Sequence, residues 1–501
     1  MTANAAHKDT EGQHSEHYDV LIIGAGISGI SSAYYLKKQC PEKSFAVLDS
    51  LDSYGGTWLT HSYPGTRSDS DLFTFGYSFK PWTGPATATR EQILDYLGEV
   101  IEENNIAPHI RYRHLLSSAS WSSETCLWTL DVKKTDSEET IRYTTRFLWM
   151  CQGYYRHSRG YTPEWPNMNA FQGQIVHPQN WPEDLDYAGK RLLVIGSGAT
   201  AATLVPALAG RAEHVTMLQR TPTYFATERA SDALADELRR LDIDKEWIHE
   251  IIRRKVTYDR TELLEKASEH PDAVKQFLLD GVKSHLGEEV DIDKHFNPPY
   301  RPMQQRVAFI PEGDLFNVIK EGKASIHTDN IESFTETGVL LNSGESIDAD
   351  IVITATGFNL SVLGDARFFI DGKPLEFSET VTYRGMMFTG VPNMAWIFGY
   401  SYHSWTLRAE LIGEFICRLL TYMDDHHLTK VVPEIPAQDK DMQLGPWVDP
   451  KDFNPGYMMR SLHLLPRCGD KPDWRHCQDY LYEKEALPSV DFDSAPLSFN
   501  R

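Results

Sequence analysis

Tyr18-Asp19-Val20-Leu21-Ile22-Ile23-Gly24-Ala25-Gly26-Ile27-Ser28-Gly29 decides how this chain folds. A β-branched apolar run ends in Gly24 and Gly26, and Gly29 opens a helical pattern that continues to about Lys38. A second strand pattern, Ser44 to Leu48, ends in Asp49, twenty residues beyond Gly29. Strand, glycine turn, helix and strand make a βαβ unit. In this GxGxxG spacing, Gly24 permits the tight turn and Gly26 lets a pyrophosphate approach the backbone. Gly29 lets helix and strand close on each other. The helix N-terminus offers N–H donors and positive dipole character to a diphosphate. Asp49 is placed to accept hydrogen bonds from ribose hydroxyls.

The pattern recurs. Arg191 to Ile195 reads as a strand, Gly196-Ser197-Gly198-Ala199-Thr200-Ala201 as the turn, and a helix runs to about Ala209. A strand follows at His214 to Leu218. Ala201 takes the place of the third glycine, an allowed variant. The end of the second strand carries no acid and reads Gln219-Arg220-Thr221. An acid there favours a 2′-hydroxyl, whereas Arg220 suits a 2′-phosphate, so the second dinucleotide is expected to be NADPH rather than NADH. The bland alternative for Arg220 is a solvated strand-end charge. Two such units in one chain are the plan of a flavoprotein with a nicotinamide reductant, the acid-tagged unit holding FAD.

The chain has 501 residues, too many for one core. We expect an α/β fold of two Rossmann-like, three-layer β/β/α dinucleotide-binding domains with a helical insertion in the second. The expected boundaries are 16–160 and 357–501 for the FAD-binding domain, and 172–223 and 302–356 for the NADP-binding domain. The insertion is expected at 224–301, where Thr227 to Gly287 is charged and free of glycine until Gly281. Residues 1–17 read as a flexible tail without a signal core, and the C-terminal end as ordered coil or tail. Trp121 to Trp149 reads as short strands turning near Asp136, Asp350 to Thr356 as a buried strand, and Thr406 to Met423 as an amphipathic helix.

Acidic residues outnumber basic ones, 71 to 49, for a formal charge of −22. That balance disfavours a nucleic-acid partner. Cys40, Cys126, Cys151, Cys417, Cys468 and Cys477 form no CxxC pair, so redox-dithiol and zinc-ribbon chemistry lack their signal and a reducing compartment is expected. No apolar run has the length of a membrane span. The cytoplasm is the expected location, with peripheral membrane contact left open.

Phe171-Gln172-Gly173-Gln174-Ile175-Val176-His177-Pro178-Gln179-Asn180-Trp181-Pro182, just before the second glycine turn, separates an oxygenase from a reductase. It matches FxGxxxHxxxWP through Phe171, Gly173, His177 and Trp181 and resembles the fingerprint of class B flavoprotein monooxygenases of the Baeyer–Villiger type. Gly55-Gly56-Thr57-Trp58, Tyr63-Pro64-Gly65, Arg67-Ser68-Asp69 and Cys151-Gln152-Gly153-Tyr154-Tyr155 resemble the family's flavin-side segments. From Tyr18 to about Tyr482 the chain is most similar to the bacterial ethionamide-activating subgroup.

The resemblance implies FAD contacts at Gly24, Gly26, Ser28, Gly29, Asp49, Gly56, Thr57, Trp58, Asp69 and Leu116. It implies NADP contacts at Arg67, Ser68, Asp69, Ser197, Gly198, Ala199, Thr200, Ala201, Ala202, Thr203, Arg220 and Thr221. Arg306 corresponds to the family's catalytic arginine and Asp69 to its carboxylate partner; Arg301 nearby competes for the first assignment. His177 is implied to couple the two domains rather than act as a base. The implied reaction uses NADPH and O2 to insert one oxygen next to a ketone carbonyl through a C4a-peroxyflavin, with S-oxygenation as a side activity. No protein partner and no metal are implied. The residues flanking Arg306 depart from those of the cyclic-ketone enzymes, so their substrate range does not transfer.

Two rival readings stay open on sequence: a dedicated N- or S-oxygenating flavin monooxygenase, and a flavin reductase passing electrons to a partner protein. The aromatic stretch Trp396, Phe398, Tyr400, Tyr402, His403 and Trp405 fits a substrate pocket and a packed core equally well. Leu407, Leu411, Phe415 and Leu419 have helical spacing and read as core. His426 and His427 lack a carboxylate at ligand spacing.

Overall fold

The computed structural model describes residues 15–228 and 230–501. Strand β1 (Ser15–Ile23) leads through the first glycine turn into α1 (Ile27–Gln39) and back to β2 (Phe45–Leu48). β3 (Ile110–Arg111) follows, then a meander of β4 (His114–Ser122), β5 (Leu127–Lys134) and β6 (Thr140–Met150). β6 is the strand that makes two layers from one sheet. β1 runs parallel to it along its length, while on its other edge its first half pairs antiparallel with β5 and its last three residues pair parallel with Met394–Trp396. Between the halves the β1 ladder skips Arg146, and the buried Thr145 hydroxyl covers the irregularity by donating to the Asp19 and Phe147 carbonyls.

The pleat sorts the side chains. Val20, Ile22, Val47, Phe147 and Trp149 share a core with α1, whereas Leu21, Ile23, Leu48, Leu148 and Met150 face the β4–β5 meander. Strands buried on both faces read as continuous apolar runs, as β1 does. This is the β/β/α layering expected of the first domain.

The second sheet repeats it. β7 (Gln174–Val176), β8 (Arg191–Ile195), β9 (His214–Gln219), β10 (Ala324–Thr328) and β11 (Ile351–Thr354) form a parallel sheet in the order β10-β9-β8-β11-β7. Leu192 and Val194 face α2 (Ala199–Ala209), and Leu193 and Ile195 face the antiparallel strands Ile331–Phe334, Gly338–Leu341 and Ser346–Asp348. The fold is therefore α/β with two Rossmann-like units.

The insertion leaves the second unit beside the strand Phe225–Glu228, which pairs with Ala308–Pro311. It contains the long α3 (Lys245–Glu269) and α4 (Pro271–Leu286), the latter opened by a proline at its first turn. Its packing is not confined to the second unit. Arg253 of α3 donates to the carbonyls of Phe73 (3.0 Å), Thr74 (3.3 Å) and Gly76 (2.7 Å) in the first unit. Its other terminal nitrogen pairs with Glu410 at 2.5 Å, both side chains buried. Glu410 lies on α5 (Trp405–Asp425) and also accepts from the Ser78 amide and hydroxyl.

Three sequence expectations change here. α5 is buried on nearly every side, not amphipathic at a surface: Leu407, Leu411, Phe415 and Leu419 are core as expected, but Thr406, Arg408 and Glu410 are buried too. Their polar groups are satisfied internally, Arg408 by Glu483 at 3.0 Å. The C-terminal end is organised rather than coil, with α6 (Gly456–Ser461), the helix Tyr480–Ala486, and a strand Leu497–Asn500 paired to Lys430–Pro433. Ser15 to His17, expected in the tail, belong to β1; the rest of that expectation lies outside the described residues.

Removing one partner of a buried ion pair strands the other charge, a loss of about 3–5 kcal/mol. Glu410→Ala is expected to lower the unfolding free energy by that order, read as a fall in the urea midpoint, and Glu410→Gln, which keeps the hydrogen-bonding shape, by less. Equal midpoints for wild type and both variants would show that the pair does not hold the insertion.

Candidate active site

Both glycine turns stand at the carboxyl ends of their sheets and open on one cavity of about 960 Å³. On the first side Gly24 has φ +106°, and a side chain there would reach 2.6 Å from the Cys151 carbonyl. A Cβ on Gly29 would fall on the Gly24 carbonyl, which is why helix and turn close so tightly. Gly26 is different: its nearest neighbour is Gly56, at 3.6 Å from a would-be Cβ, and both glycines line the cavity. Ser28, Asp49, Thr57, Trp58 and Leu116 line the same side. The buried Asp49 accepts from the Ala25 amide at 2.5 Å and the Leu51 amide at 2.8 Å. Burial raises its pKa against the pull of those two donors.

The cavity wall also holds buried polar atoms without a protein partner: both ends of the Gln152 amide, Nδ1 of His157 and Oγ of Ser361. Buried polar groups are almost always paired, so these point to a polar ligand. Glycines spaced for a pyrophosphate, an acid at the second strand and orphaned donors fit a dinucleotide. None of Gln152, His157 and Ser361 was marked as a site residue in the sequence; Gln152 and Tyr155 stand in the Cys151–Tyr155 segment that resembles the family, which was the available signal.

On the second side Gly198, Ala199 and Thr200 reach the cavity. Other residues of that turn do not. Ser197 donates to the Thr221 carbonyl at 2.9 Å and sits 2.9 Å from the Thr223 hydroxyl, so it ties the turn to the end of β9. Ala201 and Ala202 are packed in the core, where small side chains let α2 approach the sheet. Arg220 is exposed, and no hydrogen bond or ion pair holds it among the described residues.

Arg67, Ser68, Asp69, Thr200 and Thr203 meet at a smaller pocket of about 130 Å³ between the units. Two of them are already engaged. Arg67 pairs with Asp314 at 2.6 Å, and the Ser68 hydroxyl donates to the Ser70 carbonyl at 2.7 Å. Asp69 is exposed and lines both pockets.

Arg306 enters the cavity from the second side. It is exposed, and its side chain lines the cavity. Nε donates to the Tyr457 hydroxyl at 3.4 Å. The oxygen of Tyr457 holds the guanidinium protonated well above the ordinary arginine range against the opposing effect of burial, helped by Tyr154, Asp69 and Tyr155. Asp69 acts at a distance: among the described residues it forms no ion pair with Arg306, unlike the direct partnership expected. Arg301, the competing arginine, is turned away to Asp452 at 2.9 Å.

The aromatic stretch divides between its two expected roles. Trp396 and Phe398 are core, whereas Tyr400, His403 and Trp405 line the cavity. Trp405 stacks on Tyr154 with centroids 5.1 Å apart and donates to the Ser28 hydroxyl at 2.8 Å. Tyr154 in turn donates to Tyr155 at 2.9 Å. Tyr457, which touches Arg306, had no signal in the sequence.

His177 accepts the Gln179 amide on Nδ1 at 3.1 Å, which places its proton on Nε2, facing the Gly357 carbonyl at 3.1 Å. Both nitrogens are occupied, and burial lowers its pKa, so it joins the linker to the end of β11 instead of acting as a base. Phe171 and Trp181 pack on the second unit's cores. Among the described residues no cluster of metal-ligating side chains exists, His426 and His427 included.

Two cradles on one cavity, with a cation between them, define the two-nucleotide flavoprotein class. Residues 70–237 match the flavin-binding monooxygenase-like family and 22–97 the NAD(P)-binding Rossmann-like domain. The chain is 44% identical over 489 residues, 97% of its length and 98% of the relative's, to the FAD-containing monooxygenase EthA of Mycolicibacterium smegmatis. It is 40% identical over 490 residues, 97% of each chain, to the probable FAD-binding monooxygenase AlmA of Acinetobacter baylyi. The fold resembles that of an oxidized steroid monooxygenase bound to NADP, with TM-score 0.77 and 20% identity over 96% of this chain and 99% of that one. It equally resembles cyclohexanone monooxygenase from Rhodococcus sp. Phi1 bound to NADP+, with TM-score 0.76 and 20% identity over 97% and 100%. This chain belongs to the EthA-type FAD-containing monooxygenases, within the flavin-binding monooxygenase class.

Gly26→Val is expected to fold but to purify with little flavin, because the added side chain occupies the cradle without striking the protein. The ratio of 450 nm to 280 nm absorbance, beside a wild-type circular dichroism spectrum, checks this. A fully yellow variant would place the pyrophosphate elsewhere.

Proposed function

We propose that the protein uses NADPH and O2 to insert one oxygen atom beside the carbonyl of a small ketone, giving an ester or lactone. In this reading FAD lies against Gly24, Gly26, Ser28, Asp49, Gly56, Thr57, Trp58 and Leu116, while Gly29, expected as a contact, is closed on the Gly24 carbonyl and does not line the cavity. NADPH lies against Gly198, Ala199, Thr200, Arg220 and Thr221. Bound FAD, reduced by NADPH, supplies the activated oxygen. The chain's own groups do the rest.

The observation that carries the reading is Arg306: a guanidinium in a walled cavity, held by a phenol and not neutralised by a contacting carboxylate. Attack on a carbonyl builds negative charge on its oxygen, and a fixed cation in a dry site stabilises that charge far more than in water. Oxygen transfer to a thioether builds no such anion, so Arg306 favours the ketone reaction, with S-oxygenation as a side activity. Tyr457 orients the guanidinium, and the Trp405–Tyr154 stack forms an apolar part of the cavity wall. Asp69 adds a long-range field. The cycle needs no second protein in this reading and runs in the cytoplasm; among the described residues no helix is long and apolar enough to cross a membrane.

Arg306→Ala is expected to keep NADPH-dependent bleaching of the flavin while product formation falls about 10²–10³-fold, with hydrogen peroxide released instead. Product and peroxide measured together check this; wild-type ester formation in the variant would remove Arg306 from the chemistry. A linear ketone and an aryl thioether offered to the wild type separate the two oxygenase readings. Sulfoxide with no ester from any ketone would favour the heteroatom enzyme. Arg220→Ala is expected to raise the KM for NADPH at least tenfold while that for NADH changes little.

A further inference from the structure

Arg460 was singled out by nothing in the sequence. It lies on α6, in the C-terminal part of the chain, and is exposed. Its guanidinium stands 3.5 Å from the centroid of the Tyr161 ring, and Nη2 donates to the Phe358 carbonyl at 3.1 Å. These contacts fix the plane of the fork, and among the described residues Nε and Nη1 make no hydrogen bond to protein. Among the described residues no carboxylate comes within ion-pair distance of it.

Phe358 belongs to the turn that follows β11, and β11 lies beside β8, which lies beside β9. Arg220 follows the end of β9. The two arginines therefore stand over the carboxyl edge of the second sheet, on either side of the Gly196 turn. They are close enough that Arg220, adding to burial and opposed by Tyr161, lowers the pKa of Arg460. Like charges approach at a cost unless something negative lies between them. Among the described residues no carboxylate forms an ion pair with either arginine. A phosphate monoester carries close to two negative charges at neutral pH and accepts several charge-assisted bonds, which matches two guanidinium forks.

We propose that Arg460 is the second cation for the 2′-phosphate of NADPH, acting with Arg220. The proposal rests on the reading of the second cradle as the NADPH site. It makes cosubstrate choice a property of both units, since Arg220 belongs to the second sheet and Arg460 arrives with the chain that follows it. Tyr457, on the same helix one turn earlier, touches Arg306, so α6 links the phosphate end of the nucleotide to the reactive cation.

The test uses two fragments that differ at the 2′ position. Adenosine 2′,5′-bisphosphate and 5′-AMP are titrated calorimetrically into the FAD-loaded wild type, Arg220→Ala, Arg460→Ala and Arg460→Lys, with flavin content as the check of fold. The wild type is expected to prefer the bisphosphate. Arg460→Ala is expected to lose at least tenfold of that preference with AMP affinity unchanged, and Arg460→Lys to recover part of it. Unchanged preference in Arg460→Ala overturns the proposal, as does an equal loss for both fragments, which would mean stacking on adenine. A wild type that binds both alike overturns the NADPH reading of the cradle itself, a distinguishable failure.

Discussion

Backbone must touch backbone at Gly24 and Gly29, and the architecture of the site follows from that contact. The turn clears the Cys151 carbonyl only if Gly24 carries no side chain, and the helix can stand with its first turn against the end of β1 only if Gly29 carries none. Once it does, its N–H groups point into the space beyond the sheet. The same condition holds at Gly196, where a side chain would strike the Ala355 carbonyl at the end of β11. Each unit thus projects a donor-rich helix end from its carboxyl edge, and the two edges enclose a common volume. Ligand sites at such edges are a rule of open parallel sheets.

Charge within that volume is arranged by burial as much as by contact. Burial lowers the pKa of His61 to about 4, and lowers those of His157 and His177 as well. These imidazoles therefore stay neutral at neutral pH, while Arg306 stays charged. Of these only His157 lines the cavity, where Asp49 and Asp69 also stand; the permanent cation of Arg306 among them suits the stabilisation of an anion that exists only briefly.

Much of this was legible in the residues. Glycine spacing, the acid Asp49 and the arginine Arg220 each report a local backbone or strand-end requirement, and local requirements leave short motifs. The FxGxxxHxxxWP segment marks a stretch whose His177 is held between the Gln179 amide and the Gly357 carbonyl. What was not legible depends on contacts between distant segments. Ala201 and Ala202 sit in the right motif but face the core, because a helix shows the ligand only its first turn. Ser68 and Ser197 have the right chemistry, yet each closes a local turn. Asp69 and Arg306 share a cavity without touching. Tyr457 lies in a stretch without periodicity, so no pattern could mark it. The periodicity of α5 marked its apolar stripe but not the buried Arg408 and Glu410, each of which meets its counter-charge inside.

Two of the ion pairs that cross between units are unequal. Arg67 and Asp314 are partly open to water, and such a pair is worth about 1 kcal/mol or less. Arg253 and Glu410 are sealed from it. Thermal agitation parts the first pair routinely and leaves the second intact. The seam between the units thus has a weak end and a firm one, and the weak end is the pocket wall where Arg67, Asp69 and Thr200 meet.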